Sequence, residues 1–283
     1  MKYGAHIFLW TECWNNRELG LLARARRLGL DTLEIAVGDD VEFDSRAIRR
    51  EAEQQGMEIV TSPGGHWPMQ ADVSHPDPSC RDNALQWHRQ WIEKSAEAGA
   101  TAYTGALYSH PGHIERRKPD PGEFHRSAGN LHALAEYGRE CGIAIVLEPM
   151  SHFRVSLVNT PDQVMRLIEA ADHPNLKVLL DTYHMVTEIR DFPAAIHKMA
   201  PHLWGLHACE NDRGCPGGGL IPWPAITQAL KATGFHGHIL METYNSSLRN
   251  GEFACSRGMF HNVCPDGDAF AKSGIAFLRG LIE

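Results

Sequence analysis

The chain of 283 residues predicts an α/β fold, a (β/α)8 TIM barrel built as a single domain over residues 1–283. Three observations carry that expectation. Eight short apolar runs alternate with eight helical patterns to the end of the chain. Glycines recur at the junctions where a helical pattern gives way to the next apolar run. The later apolar runs stop at charged residues or histidine. Strands covered on both faces read as near-continuous apolar runs. Eight such units in one chain point to closure, with catalytic groups gathered at the C-terminal strand ends.

MKYGAHIFLW opens directly on a strand at 3–9, without the layout of a secretory signal. A helix at 15–28 is followed by Gly29 and a strand at 32–37, then a helix at 45–55 by Gly56 and a strand at 58–62. The helix at 79–98 carries Trp87 and Trp91 four apart, beside Leu85 and Ile92, a spacing that predicts a face packed on the barrel. Gly99 follows it and leads to a strand at 102–108. A helix at 124–140, Gly142 and a strand at 143–148 repeat the pattern. Thr160-Pro161-Asp162 reads as an N-cap with proline in the first turn of a helix at 161–171. A strand at 176–181, a helix at 190–199 and a strand at 203–207 come next. Trp223, between two prolines, seals the start of a helix at 223–233 that Gly234 follows. A strand at 238–242 and a helix at 267–281 complete the set. Glycines 29, 56, 99, 142 and 234 sit where helix C-caps belong.

Other classes fit less well. An open doubly wound sheet wants a phosphate-binding glycine turn after its first strand, and Trp10-Thr11-Glu12-Cys13-Trp14 stands there instead. Gly217-Gly218-Gly219 has no following Lys-Ser/Thr and reads as a flexible loop. A formal charge of -8, from 35 acidic and 27 basic residues, offers no general attraction to nucleic acid, and Arg116-Arg117-Lys118 is a short solvated run. No apolar stretch is long enough to span a bilayer, so a cytoplasmic location and no membrane partner are expected. The seven cysteines are odd in number and scattered; Cys209 and Cys215 have no further pair with which to form a zinc knuckle.

The chemistry gathers in the second half. IAIVLE ends at Glu148, LKVLLD at Asp181, LWGLH at His207 and HILME at Glu242. A charged group that terminates a buried strand points into the shared mouth above it. Four such groups need cationic compensation, because unpaired buried carboxylates are costly. Their mixed oxygen and nitrogen donors suit manganese, cobalt or magnesium better than a thiolate-bound metal. Arg213 and Arg154 can supply part of the compensation. His184, three residues past Asp181, reads as a loop residue able to touch a substrate hydroxyl or orient a glutamate. His6, Glu34 and His66 stand at the ends of earlier strands and are candidates for the pocket wall.

The segments Leu147-Glu148, Leu180-Asp181-Thr182-Tyr183-His184-Met185, His207-Ala208-Cys209-Glu210-Asn211-Asp212-Arg213 and Met241-Glu242 resemble the D-tagatose 3-epimerase / D-allulose 3-epimerase family of xylose-isomerase-like barrels. The resemblance implies a divalent metal, most often manganese, held by Glu148, Asp181, His207 and Glu242. It also implies sugar contacts from His184 and Arg213 with Glu210 nearby, a free ketose as substrate, and a homodimer or homotetramer.

The implied reaction has its own logic. The C3 proton of a ketose is acidified by the C2 carbonyl, and its removal gives an enediolate whose charge a divalent ion can offset. Inversion needs a base on each face of C3, a role open to Glu148 and Glu242 as catalytic pair. The likeness breaks at Glu148-Pro149-Met150-Ser151-His152-Phe153-Arg154, where the family usually ends in glutamate and this chain has Arg154. It breaks again at Tyr244-Asn245-Ser246-Ser247 and Ser256-Arg257-Gly258-Met259-Phe260. These changes leave open a different ketose, a phosphorylated or acidic sugar, and isomerase, epimerase or lyase action on an inosose or 3-keto-sugar. A metal-dependent phosphodiesterase or endonuclease is the alternative of another class.

Overall fold

The computed structural model describes residues 1–282 except 113, 115, 246, 249–251 and the side chain of 252; Ser246 therefore lies outside it. Eight parallel strands, β1 (Lys2–His6), β2 (Thr32–Ala36), β3 (Glu58–Ser62), β4 (Ala100–Gly105), β5 (Ala144–Leu147), β6 (Leu176–Asp181), β7 (Leu203–Ala208) and β8 (His238–Met241), close in sequence order. β8 pairs back onto β1 through Lys2 and His238. The helices are α1 (Gly20–Arg27), α2 (Ser45–Gln55), α3 (Pro78–Glu97), α4 (Pro121–Cys141), α5 (Pro161–Ala171), α6 (Thr182–Glu188), α7 (Phe192–Met199), α8 (Trp223–Ala232), α9 (Glu252–Ser256) and α10 (Gly267–Ile282). None of them is long and apolar enough to cross a membrane.

Alternation along the strands sorts the side chains. Val60, Ala102, Val146 and Leu179 form a small cluster of their own, while the main core packs their strand neighbours, such as Ile59, Tyr103, Ile145 and Leu180, with helix residues. Counting on by two from Val146 and Leu179 reaches Glu148 and Asp181, so the same period that fills the barrel delivers these groups to its mouth. Gly4 belongs to a crowded level of this stack: a Cβ there would lie 2.5 Å from both Leu240 Cδ2 and the Thr32 carbonyl oxygen.

Several boundaries differ from the sequence expectation, three of them for plain local reasons. The first strand stops at His6, whose Nδ1 accepts from the Phe8 amide at 3.2 Å and opens a 3-10 turn over Ile7–Leu9. β4 ends at Gly105, whose φ of +125 turns the chain away from the ladder. The helix expected at 190–199 is preceded by another, α6, because Asp181 Oδ1 accepts from the Tyr183 and His184 amides and caps it. His184 thus stands in a helical first turn, not in a loop. The anticipated cap at Thr160 is present as a full capping box with Gln163, and the five junction glycines all have positive φ.

At the opposite end of the barrel Glu58 accepts from the Lys2 ammonium, from the Thr101 hydroxyl at 2.5 Å and from His238 Nε2 at 3.1 Å, joining the starts of four strands. Burial works against its ionisation, yet its bonds with His238, Lys2 and Thr101 bring the pKa down to about 2. A carboxyl depressed in the fold stabilises it above the unfolded-state pKa, and that gain disappears as pH falls from about 4.5 toward 2. Allowing for solvent screening at this rim, Glu58→Gln is expected to cost about 1–2 kcal/mol near pH 7. Urea melts at pH 7 and pH 3 check this: the gap between wild type and variant should shrink at the lower pH, and a constant gap contradicts it.

Candidate metal and active site

One ligand atom from each of Glu148, Asp181, His207 and Glu242 lies within 4.8 Å of the other three, and all four residues are buried. Glu148 and Glu242 stand one residue past β5 and β8, Asp181 ends β6, and His207 pairs beside it in β7. His207 Nδ1 is 2.8 Å from Glu242 Oε2, 3.2 Å from Glu148 Oε1 and 3.9 Å from Asp181 Oδ2. It is the only such cluster among the described residues.

The far side of the same ring explains Glu34. His207 Nε2 lies 2.7 Å from Glu34 Oε2, and the other oxygen of Glu34 accepts from the Thr104 hydroxyl at 2.6 Å. Glu34 was expected on the pocket wall; it is wholly buried behind the imidazole and does not line the cavity. An Nε2–H donated to Glu34 leaves the Nδ1 lone pair facing the three carboxylates, the arrangement that orients a metal-binding histidine. Glu34→Gln is expected to weaken divalent-metal affinity by about 10–100-fold, read by competition titration against a chelating dye. Unchanged affinity would remove Glu34 from this role.

Arg213 fills the next layer. Its Nη1 donates to Asp181 Oδ2 at 2.5 Å, lies 3.4 Å from Glu242 Oε2 and 3.3 Å from Cys209 Sγ, while its carbon centre sits 4.5 Å from the Tyr183 ring. The residue adopts φ +67, a left-handed conformation that costs a non-glycine residue about 1–2 kcal/mol. Asp181 and Glu242 hold it there. Arg213 Nη2 also donates to His184 Nε2 at 3.3 Å, and His184 Nδ1 meets the Ser151 hydroxyl at 2.9 Å. Burial drives the His184 pKa down to about 3, so the ring is neutral. Neither His184 nor Arg213 lines the cavity; they brace the carboxylates from behind.

Glu210 has another task. Its oxygens accept from the Gly217 amide at 2.6 Å, the Ile221 amide at 3.1 Å and Trp223 Nε1 at 2.7 Å. The triglycine loop expected to be flexible is therefore stitched to the start of α8. A Cβ at Gly219 would fall 2.6 Å from Glu210 Oε2, which is why glycine is required. Glu210, which the family resemblance places near the sugar contacts, does not line the cavity.

The electrostatics show a site suited to a cation. Burial opposes protonation of His207, but Glu34, Glu242 and Glu148 lift its pKa well above the ordinary value. Without a metal, a proton supplies the positive charge that these carboxylates require. Burial raises Glu148 to about 7, with His207 offsetting it only in part. Burial also opposes ionisation of Glu242, yet Arg213 and His207 hold its pKa well below the usual carboxylate range. Three carboxylate donors and one imidazole converging without thiolate match a hard or borderline divalent ion.

Above the cluster opens a cavity of about 290 Å³, reached by Glu148, His207 and Glu242. His6, His66 and Arg154, proposed from sequence, do line it. His6 is buried, with Nε2 3.2 Å from the Ser62 hydroxyl; the His66 side chain is 66% exposed at the rim. Phe8, Trp67, His110, Tyr244 and Arg257 line it as well; Tyr244 and Arg257 belong to the segments where the family likeness breaks, and none of the five stands out in sequence as a site residue. The apolar ones look like core in sequence, and Arg257 follows a five-residue helix too short to leave a periodic signal.

Fold and site together define a (β/α)8 barrel with a buried carboxylate–imidazole centre for a divalent cation at its mouth. Residues 22–280 match the family described as xylose isomerase-like TIM barrel. The chain is 30% identical over 251 residues to a D-psicose 3-epimerase of Ruminiclostridium cellulolyticum, covering 86% of this chain and 84% of the relative. It is 27% identical to an L-ribulose 3-epimerase of Mesorhizobium japonicum, over 98% of this chain and 93% of that one. The crystal structure of D-psicose 3-epimerase with D-tagatose from Clostridium cellulolyticum superposes with a TM-score of 0.90 at 27% identity, covering 100% of both chains. The protein belongs to the ketose 3-epimerases of the xylose isomerase-like TIM barrel family.

Proposed function

We propose that this protein is a divalent-metal-dependent ketose 3-epimerase that interconverts free ketohexoses or ketopentoses at C3 through a cis-enediolate. The observation that carries this reading is the placement of Glu148 and Glu242. They come from strands three apart on the barrel, both line one sugar-sized cavity, and both approach His207 Nδ1. Glu148, Asp181, His207 and Glu242 would hold the ion, manganese by resemblance to the family with cobalt or magnesium as substitutes, which would supply positive charge where negative charge develops on the substrate. One glutamate takes the C3 proton, and the C3–H electron pair moves into the C2 carbonyl to form the enediolate. The other, as its acid, returns a proton to the opposite face of C3 while the C2 carbonyl re-forms. Atoms balance and no redox partner is needed. Burial lifts Glu148, while Arg213 and His207 hold Glu242 low against its own burial, so the fold itself gives the two carboxyls different surroundings.

Arg213 keeps Asp181 and Glu242 ionised and aligned, the neutral His184 ring braces the Arg213 guanidinium, and His6, His66 and Arg154 meet the sugar. The family resemblance supports a homodimer or homotetramer, and the closed eight-stranded barrel supports reading the whole chain as one domain. Metal-loaded protein incubated in deuterated water with D-fructose, D-tagatose and L-ribulose should incorporate deuterium at C3 of at least one. Absence of exchange at C3 in all three defeats the assignment.

A further inference from the structure

Two guanidinium groups line the cavity that receives the sugar, and neither has an acidic partner among the described residues. Among the described residues no carboxylate lies within 4 Å of Arg154 or Arg257. Arg257 is held by neutral acceptors: Nη2 donates to the Gly64 carbonyl at 2.8 Å, and Nη1 to the Phe253 carbonyl at 3.4 Å and the Ser256 hydroxyl at 3.3 Å. Its carbon centre sits 3.6 Å from the Phe253 ring centroid, so the fork is fixed in place. Arg154 makes no side-chain hydrogen bond among the described residues, although its backbone is anchored to Ser151 and Gly112. Half-burying two like charges in one cavity is unfavourable, and burial together with the Arg154 charge draws the Arg257 pKa below its ordinary value. Glu242 and Asp40 act on Arg257 only from beyond ion-pair distance. Glu242 is already engaged by Arg213 and His207.

The reacting carboxylates Glu148 and Glu242 bound the same space of about 290 Å³. That is at the low end of the roughly 300–1,000 Å³ common for small-molecule sites, so one sugar fills it. A ketose with C2 and C3 at the glutamates extends its remaining carbons toward the rest of the cavity wall. Paired guanidinium forks recognise carboxylate or phosphate oxygens bidentately and are poorly used on a neutral hydroxyl. We propose that Arg154 and Arg257 form an anion-binding subsite, and that the preferred substrates are ketoses carrying a carboxylate or phosphate at the carbon farthest from the carbonyl.

This inference rests on the C3-epimerase reading and narrows its substrate. D-Fructose and D-fructuronate differ only in a terminal hydroxymethyl or carboxylate group, and D-tagatose and D-tagaturonate form a second such pair. D-Fructose 6-phosphate tests the phosphate arm. C3 deuterium exchange by the metal-loaded protein should give kcat/KM at least about 30-fold higher for a charged member than for its neutral counterpart, a modest return for a charge-assisted bidentate contact. The higher value identifies carboxylate or phosphate as the native group. Arg154→Gln and Arg257→Gln should each shrink that ratio by about tenfold or more, and Arg154→Lys should recover part of it. Exchange of neutral ketoses at rates equal to or above the charged ones overturns the subsite while leaving the epimerase assignment intact. If no ketose exchanges, the epimerase assignment falls, and calorimetric titration decides the subsite alone. D-Gluconate must then bind more tightly than D-glucitol and lose that advantage in Arg154→Gln; equal binding overturns it.

Discussion

Glu148→Gln and Glu242→Gln are each expected to cut epimerisation by roughly a thousandfold or more, while leaving different remnants of exchange. In the proposed mechanism each glutamate serves one face of C3. With Glu148 amidated, the surviving carboxylate at 242 can remove and return only the proton that faces it. It therefore exchanges deuterium into one epimer without inverting it. Amidating Glu242 should reverse the choice of epimer. Both residues are also expected ligands, so residual rates will be low and metal must be held in excess. NMR of D-fructose and D-psicose in deuterated water, run separately with each variant, reads the outcome directly. Exchange of the same epimer by both variants, or inversion surviving in either, contradicts the two-base arrangement.

Stripping the metal with a chelator should abolish turnover and also soften the fold. The cluster gathers three carboxylates around one imidazole in a buried space, with Arg213 as the neighbouring cation. A ligand held at a hundred times its dissociation constant stabilises the native state by about 2.7 kcal/mol. For a chain of this size that corresponds to a fall of about 4–5 °C in Tm on removal. Calorimetry before and after chelation, then after adding manganese, cobalt or magnesium, measures both parts. A protein freed of metal that keeps its activity and its Tm would show that these four residues hold no ion that matters. The removal should also charge His207, since Glu34, Glu242 and Glu148 all favour its protonated form.

Sequence alone disclosed the barrel because its signals are periodic and repeated. Junction glycines and continuous apolar runs occur unit after unit, and Glu148, Asp181, His207 and Glu242 interrupt those runs where a strand must end. What stayed hidden depends on contacts between distant units. Glu34 reads as a single acid inside a strand run, and only closure of the barrel, which brings β2 within reach of β7, shows it gripping His207 from behind. Glu210 lies in a segment shared with the epimerases, yet its partners are 7, 11 and 13 residues downstream in a loop with no regular pattern. His184 reads as a loop residue because a seven-residue helix is too brief to impose periodicity, and its cap, Asp181, doubles as a candidate metal ligand. Phe8, Trp67 and Tyr244 carry the composition of a core and lie at the edge of one. Composition cannot tell a side chain packed on others from one that also faces a cavity.

The clasp around Glu58 ties together strand beginnings, whereas Glu148 and its companions stand where strands finish. Durability and turnover are thereby assigned to opposite poles of the molecule. Selection for heat tolerance can act on Lys2, Thr101 and His238 without disturbing a proton's route, and the mouth can explore new sugars while the base keeps the cylinder shut.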